Sequence, residues 1–150
     1  MTRHRQPAAT GTPLGPTGGH AMTERKKYQR NTSFDELGWT EYASGAKGTL
    51  FLVGEEGDET APVVTYAHFP PGAVVEAHSH PCDYAEIIVA GTQQVTRRWH
   101  KAGDIRIVKA GTVYGPLVAG PEGCTVMVIF RNGDWQSKFV TRSSTTTATS

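Results

Sequence analysis

The sequence has too few cysteines for a disulfide framework and too little charge of one sign to indicate an anionic partner. Its 150 residues include two cysteines, Cys82 and Cys124, which favours free thiols in a reducing cytosol. Fifteen basic residues are balanced by 14 acidic ones, so charge does not point to nucleic acid or anionic lipid. Apolar runs of transmembrane length and the apolar core of a signal peptide are both lacking. We therefore predict a cytoplasmic protein without nucleic-acid or membrane partners.

The composition along the chain predicts one folded domain between two tails. Residues 1–30 and 141–150 are rich in Gly, Pro, Thr or Ser without a hydrophobic period, and we predict that they are disordered. Residues 34–140 alternate Gly or Pro turns with short runs of β-forming residues. The runs are TLFLV, APVVTYAHF, AVVEAH, YAEIIVA, QQVTRRW, DIRIVKA and CTVMVIFR. This pattern predicts an all-β sandwich or barrel, preceded by a short helix that Ser33 and Glu36 cap.

Two histidines one residue apart are the most informative feature of the chain. Alternate residues of a strand point to the same side, so His78, His80, Tyr84 and Glu86 are predicted to share one face. Two imidazoles and a carboxylate on one face match the 2-His-1-carboxylate arrangement, which suits Fe, Mn, Ni or Zn. The alternative is a solvated strand face, which is the common case for two polar residues at this spacing. The preceding Pro-Pro-Gly turn and the following apolar strand favour the metal site.

The residues around this pair resemble the first motif of the cupin superfamily, G-x5-H-x-H-x3,4-E-x6-G. Gly72 precedes His78 and His80 at the motif spacing, and Gly91 closes it. Counting back from Gly91 places Tyr84 at the motif's Glu position, where a typical cupin has a metal ligand. Only the two histidines therefore match the ligands of the family residue by residue.

A second segment resembles the other cupin motif, G-x5-P-x-G-x2-H-x3-N. Gly103 and Gly111 match in register, whereas Lys109, Tyr114 and Val118 replace the proline, the histidine and the asparagine. The resemblance covers residues 49–131. It implies a single cupin-like β-barrel, a double-stranded β-helix of jelly-roll type, with one divalent metal ion.

The departures from the cupin motifs leave three interpretations of the site. In the first, His78, His80 and Glu86 hold the metal, while Tyr84 and Tyr114 act as catalytic acid or base groups. In the second, a tyrosine phenolate is itself a ligand, because a divalent cation lowers the pKa of a phenol. In the third, the metal site is lost and the barrel only binds a ligand. Both tyrosines could also be ordinary core aromatics.

Four further residues are candidates for binding a substrate. Tyr66 and His68 share a strand face and could line the pocket, although a rim position suits His68 equally. Arg97 lies in a predicted strand, where an inward arginine would anchor a carboxylate through two hydrogen bonds. Arg106 lies in the next predicted strand, facing either the pocket or solvent.

Together these features predict a metal-dependent enzyme that acts on a small polar carboxylate or keto metabolite. Its chemistry would be proton transfer, as in an isomerase, cyclase or lyase, or that of a non-haem dioxygenase. The alternative is a non-catalytic barrel that binds or senses a small molecule. We also predict a homodimer, because an exposed sheet edge or apolar sheet face needs a cover.

Overall fold

The computed structural model describes residues 29–140, and nearly all of both predicted tails lies outside these residues. The chain divides into two units, residues 1–31 and 32–150, and all described secondary structure belongs to the second. The elements are α1 (Phe34–Leu37), β1 (Thr40–Glu41), β2 (Lys47–Leu52), β3 (Val63–Phe69), β4 (Val74–Val75), β5 (His78–Ser79), β6 (Tyr84–Val95), β7 (Arg98–Lys101), β8 (Ile105–Val108), β9 (Leu117–Phe130) and β10 (Lys138–Phe139). The prediction of an all-β domain is confirmed.

The short helix begins as its sequence predicts. The Ser33 hydroxyl accepts a hydrogen bond from the Glu36 backbone N–H at 3.3 Å. The Ser33 backbone N–H donates to the Glu36 carboxylate at 3.1 Å. This capping box satisfies two backbone groups that a helix start otherwise leaves unpaired. No helix among the described residues is long and apolar enough to cross a membrane.

The strands form one eight-stranded antiparallel sheet and a small second sheet. The main order is β1-β2-β3-β9-β6-β7, with β4 added to β9 and β8 added to β6. The second sheet pairs β10 with β5. Strands β6 and β9 are long enough for each half to meet a different neighbour. The sheet therefore folds over as expected for a cupin barrel of the jelly-roll type.

Strands β6 and β9 continue through glycines that the sequence pattern predicts to be turns. Gly91 lies inside β6 with φ +71°, and Gly123 lies inside β9 with φ +79°. A Cβ atom at Gly91 would overlap the carbonyl oxygen of Gly123, so the two strands approach closely because neither residue has a side chain. The turn after β6 instead falls at Thr96 and Arg97, which both have positive φ.

Alternation along the long strands directs one set of side chains into the domain. In β6, Tyr84, Glu86 and Ile88 are buried, and in β9, Val126 and Val128 are buried. Most of these side chains are apolar, but Tyr84 and Glu86 carry polar groups inward. Buried polar groups require partners, so the interior of the domain contains a polar site.

Candidate small-molecule site

The interior contains a cavity of about 660 Å³, within the range of roughly 300 to 1,000 Å³ that is usual for ligand pockets. His78, His80, Tyr84 and Glu86 are all buried and all border this cavity, which confirms that they share one face. Tyr114 borders the same cavity. An isolated bridge between Tyr114 and His78 brings this second-motif residue to the site.

Both histidines are held by backbone carbonyl groups. The Nδ1 atom of His78 lies 2.8 Å from the carbonyl oxygen of Glu76, and that of His80 lies 2.6 Å from the carbonyl oxygen of Trp135. A carbonyl oxygen only accepts, so each Nδ1 carries the hydrogen, and Nε2 has a lone pair in the neutral form of each ring. Burial also lowers the pKa of His80, which favours a neutral ring. The two imidazole rings lie 5.0 Å apart between centroids.

The two tyrosines stand beside the two imidazoles. The Tyr114 hydroxyl donates to Nε2 of His78 at 3.0 Å, while the Tyr84 ring packs 4.9 Å from that of His80. The Tyr84 hydroxyl is buried and makes no hydrogen bond of good geometry, although it interacts with the Tyr114 hydroxyl. Burial raises the pKa of both hydroxyls above the usual phenol value. Both are therefore protonated donors at neutral pH.

Glu86 is engaged by neighbouring side chains rather than by the histidines. Its Oε1 accepts from Nε of Arg106 at 3.0 Å and from the amide of Gln93. Arg106 lies opposite Glu86 in the β6–β8 register, and both side chains are largely buried. Within residues 29–140, no group of three His, Cys, Asp or Glu residues could hold a metal ion. The predicted set of His78, His80 and Glu86 is thus not assembled, because Glu86 pairs with Arg106.

The remaining donors fit a metal in part. A histidine ligand usually donates its other ring N–H to a carbonyl or carboxylate group, and His78 and His80 both do so. The lone pair of His80 Nε2 has no hydrogen-bond partner among residues 29–140, whereas Nε2 of His78 accepts from the Tyr114 hydroxyl. A divalent ion on both imidazoles would therefore have to replace that hydrogen bond, with tyrosine hydroxyls rather than Glu86 beside it.

The structure places two of the predicted substrate-binding residues mainly outside the site. Tyr66 contributes to the cavity wall, but its ring stacks on that of Phe34 at 4.1 Å. His68 does not border the cavity; it bonds the Thr125 hydroxyl at 2.8 Å and packs against Trp39. The chain around α1 covers this face of β3, which the strand pattern alone does not reveal.

The two predicted arginines also differ from expectation. Arg97 is exposed in the turn with positive φ, so it cannot anchor a substrate in the interior. Arg106 is largely buried, but it lies behind the lining, with its guanidinium 4.6 Å from the centroid of the Tyr114 ring. It contacts the site through Glu86 and Tyr114.

Sequence reasoning missed Gln93, Trp135 and Phe139. Gln93 binds Glu86 although its position has the opposite parity, because register shifts interrupt β6 on both sides of Ala90 and Gly91. Trp135 supplies its carbonyl group from a loop, and Phe139 packs 5.4 Å from the His78 ring. No local pattern signals these residues; only the pairing of β10 with β5 places Phe139 there.

Solved structures with the same fold include enzymes and a complex of an anti-sigma factor. The polyketide cyclase RemF from Streptomyces resistomycificus has a TM-score of 0.63 at 12% identity, over 77% of this chain and 88% of that chain. A Bacillus subtilis oxalate decarboxylase structure, described by its Mn(II) centres, has a TM-score of 0.56 at 20% identity, over 70% of this chain and 30% of that one. At these identities the likeness shows the fold alone.

The third structure is that of Rhodobacter sphaeroides SigE in complex with the anti-sigma ChrR. It has a TM-score of 0.54 at 18% identity, over 65% of this chain and 50% of the matched chain. This chain thus spans half of that relative and about a third of the oxalate decarboxylase. No curated protein sequence matches it significantly. The model of the ChrR cupin-like domain family matches residues 28–133, and the chain therefore belongs to that family.

Proposed function

We propose that this chain is a small-molecule enzyme that performs proton transfer at the polar end of its cavity, with one divalent metal on His78 and His80. The observation that carries this proposal is that the buried residues His78 and His80 turn their Nε2 atoms towards one cavity beside two tyrosine hydroxyls. A metal would replace Tyr114 as the partner of His78 Nε2. A divalent metal there would act as a Lewis acid towards a carbonyl or enol oxygen.

Two tyrosines, Tyr84 and Tyr114, would donate and transfer protons beside the metal. The buried Tyr84 hydroxyl makes no hydrogen bond of good geometry and can donate to a substrate oxygen as charge develops on it. A metal on Nε2 of His78 would displace the hydrogen bond from Tyr114, and the Tyr114 hydroxyl would then be available to pass a proton to the substrate. These phenols favour isomerase, cyclase or lyase chemistry over that of a dioxygenase, because each provides a positioned proton. A homodimer and a cytoplasmic location stay predictions.

Metal content tests the proposal. We expect about one Mn, Zn, Fe or Ni ion per chain by elemental analysis, either as purified or after incubation with the metal. A His78→Ala/His80→Ala variant should lose it, while Glu86→Gln should keep it, since Glu86 is bound by Arg106. Circular dichroism of each variant checks folding. An absence of metal in the wild type after incubation would refute the metal site. An equal loss in Glu86→Gln would instead restore the three-ligand set.

A metal-free binding barrel is the second candidate, favoured by one observation. The Tyr114 hydroxyl already occupies Nε2 of His78 at 3.0 Å, as in a pocket that satisfies its own polar groups. In that case the His78→Ala/His80→Ala variant would keep its affinity for a ligand, and the wild type would show no turnover.

A further inference from the structure

The charge of the cavity wall is unusual for a site that was predicted to bind a carboxylate. Of the described residues that border the cavity, none is Lys or Arg, and the only charged ones are Glu76 and Glu86. Glu76 is exposed. An anionic ligand would therefore enter the cavity without a protein cation to pair with, and burying an unpaired charge is strongly unfavourable.

Among residues 29–140, Arg106 is the one Lys or Arg that is not exposed, and its charge is already paired. Arg106 pairs with Glu86 at 3.0 Å and lies behind Tyr114, outside the lining. The same pairing neutralises the negative charge that Glu86 would otherwise add to the cavity wall. One guanidinium nitrogen of Arg106, Nη2, is buried without a hydrogen-bond partner, but Arg106 does not border the cavity. The lining residues themselves thus offer a bound molecule no unpaired charge at depth.

The rest of the wall describes the ligand further. Phe69, Leu117, Val128 and Phe130 are among the apolar residues that border the cavity. At the polar end, the Tyr84 hydroxyl is buried without a hydrogen bond of good geometry, in a residue with 4% exposure, and its interaction with the Tyr114 hydroxyl leaves room for a better acceptor. An unmatched buried donor is costly unless a ligand or water satisfies it.

We propose that the cavity binds an uncharged, largely apolar compound whose carbonyl or enol oxygen accepts a hydrogen bond from Tyr84. This inference rests on the proposed function for the meaning of the site. It describes the part of the ligand that faces the protein wall, and there it favours neutral ketones and enols, because only a carboxylate bound directly to the divalent metal would have a cation to pair with. The apolar body fills the space between the two sheet halves, and the oxygen lies beside the histidines.

A matched pair of probes tests the inference by calorimetry on the full chain after dialysis against a chelator. The probes are 2-acetylnaphthalene and 2-naphthoate, which have the same ring system and differ by a methyl group in place of a carboxylate oxygen. We expect the ketone to bind at least about tenfold more tightly, because the carboxylate must be buried unpaired. Tyr84→Phe should weaken ketone binding about threefold to tenfold and leave naphthalene binding unchanged.

Equal or tighter binding of 2-naphthoate would overturn the inference, as would tighter binding of the cation 2-naphthylmethylammonium. Failure of all probes to bind would also overturn it, as would unchanged ketone binding in Tyr84→Phe. These outcomes are separate from the proposed function, since the experiment contains no metal and measures no turnover. A protein without metal that still prefers the ketone would support the ligand class and refute only the metalloenzyme.

Discussion

The ion pair between Arg106 and Glu86 gives the sharpest prediction about stability. Both side chains are nearly buried, at 11% and 6% exposure, and Nε lies 3.0 Å from the carboxylate. Removing one partner of such a pair leaves an uncompensated charge and costs about 3 to 5 kcal/mol. Arg106→Met keeps most of the side-chain volume, so we expect its free energy of unfolding to fall by that amount, a large part of the usual total of about 5 to 15 kcal/mol.

Urea unfolding followed by circular dichroism measures this loss, provided that the transition is two-state. The matched control is Arg131→Met, because Arg131 pairs with Asp83 at 3.4 Å with 74% and 51% of the side chains exposed. Exposed pairs contribute at most about 1 kcal/mol. The double variant Arg106→Met/Glu86→Gln removes both charges and should recover much of the stability. A loss in Arg106→Met no larger than in the control would refute this account of the pair.

Three further predictions concern backbone, thiols and pH. Gly91→Ala should lower the free energy of unfolding by about 2 kcal/mol or more, because a Cβ atom at this positive-φ position would overlap the backbone of β9. The control is Gly103→Ala, where a Cβ atom would contact nothing. An equal loss of stability in the two variants would contradict this prediction. Cys82 and Cys124 are buried and free, and burial raises the pKa of Cys124 to about 11. Neither thiol should react with a thiol reagent at pH 8 until the protein is denatured. Fast labelling of the native protein would contradict this prediction. Burial, and after it the charge of Arg106, lowers the pKa of His100. The unfolded chain therefore binds a proton more readily, and part of the free energy of unfolding should be lost as the pH falls below 6.5, the pKa of an unperturbed histidine. An equal loss in His100→Gln would contradict this prediction.

The fold could be predicted because each local signal agreed with the final arrangement. Runs of β-forming residues between glycines, and the capping box at Ser33, both act over a few residues. The sequence did not predict where the long strands continue and where they turn. The pattern places a turn at Gly91, but β6 continues there, because the glycine allows a close approach to β9. The real turn at Thr96 and Arg97 lacks the Asn-Gly signal of a two-residue hairpin.

The sequence predicts which residues line the cavity, but it does not predict which hydrogen bonds and ion pairs those residues make. Shared parity correctly placed His78, His80, Tyr84 and Glu86 along one cavity, because period-two alternation needs no tertiary information. The agreement also depends on the turn between β5 and β6, which preserves that parity. Which donor meets which acceptor depends on long-range register. Glu86 faces Arg106 only because β6 pairs with β8 in one particular alignment. That register decides whether the Glu86 carboxylate is available to bind a metal, and no local sequence motif predicts it.

Proton exchange tests the central claim, that the polar end of the cavity is a reacting centre. The full chain, supplied with Mn²⁺ or Zn²⁺, would be incubated with 2-acetylnaphthalene in D2O, and loss of the methyl proton signal would be followed by NMR. The account predicts exchange faster than in buffer with the same metal, abolished in a folded His78→Ala/His80→Ala variant that still binds the ketone. Tight ketone binding by the wild type with exchange at the buffer rate would contradict it and leave a binding barrel.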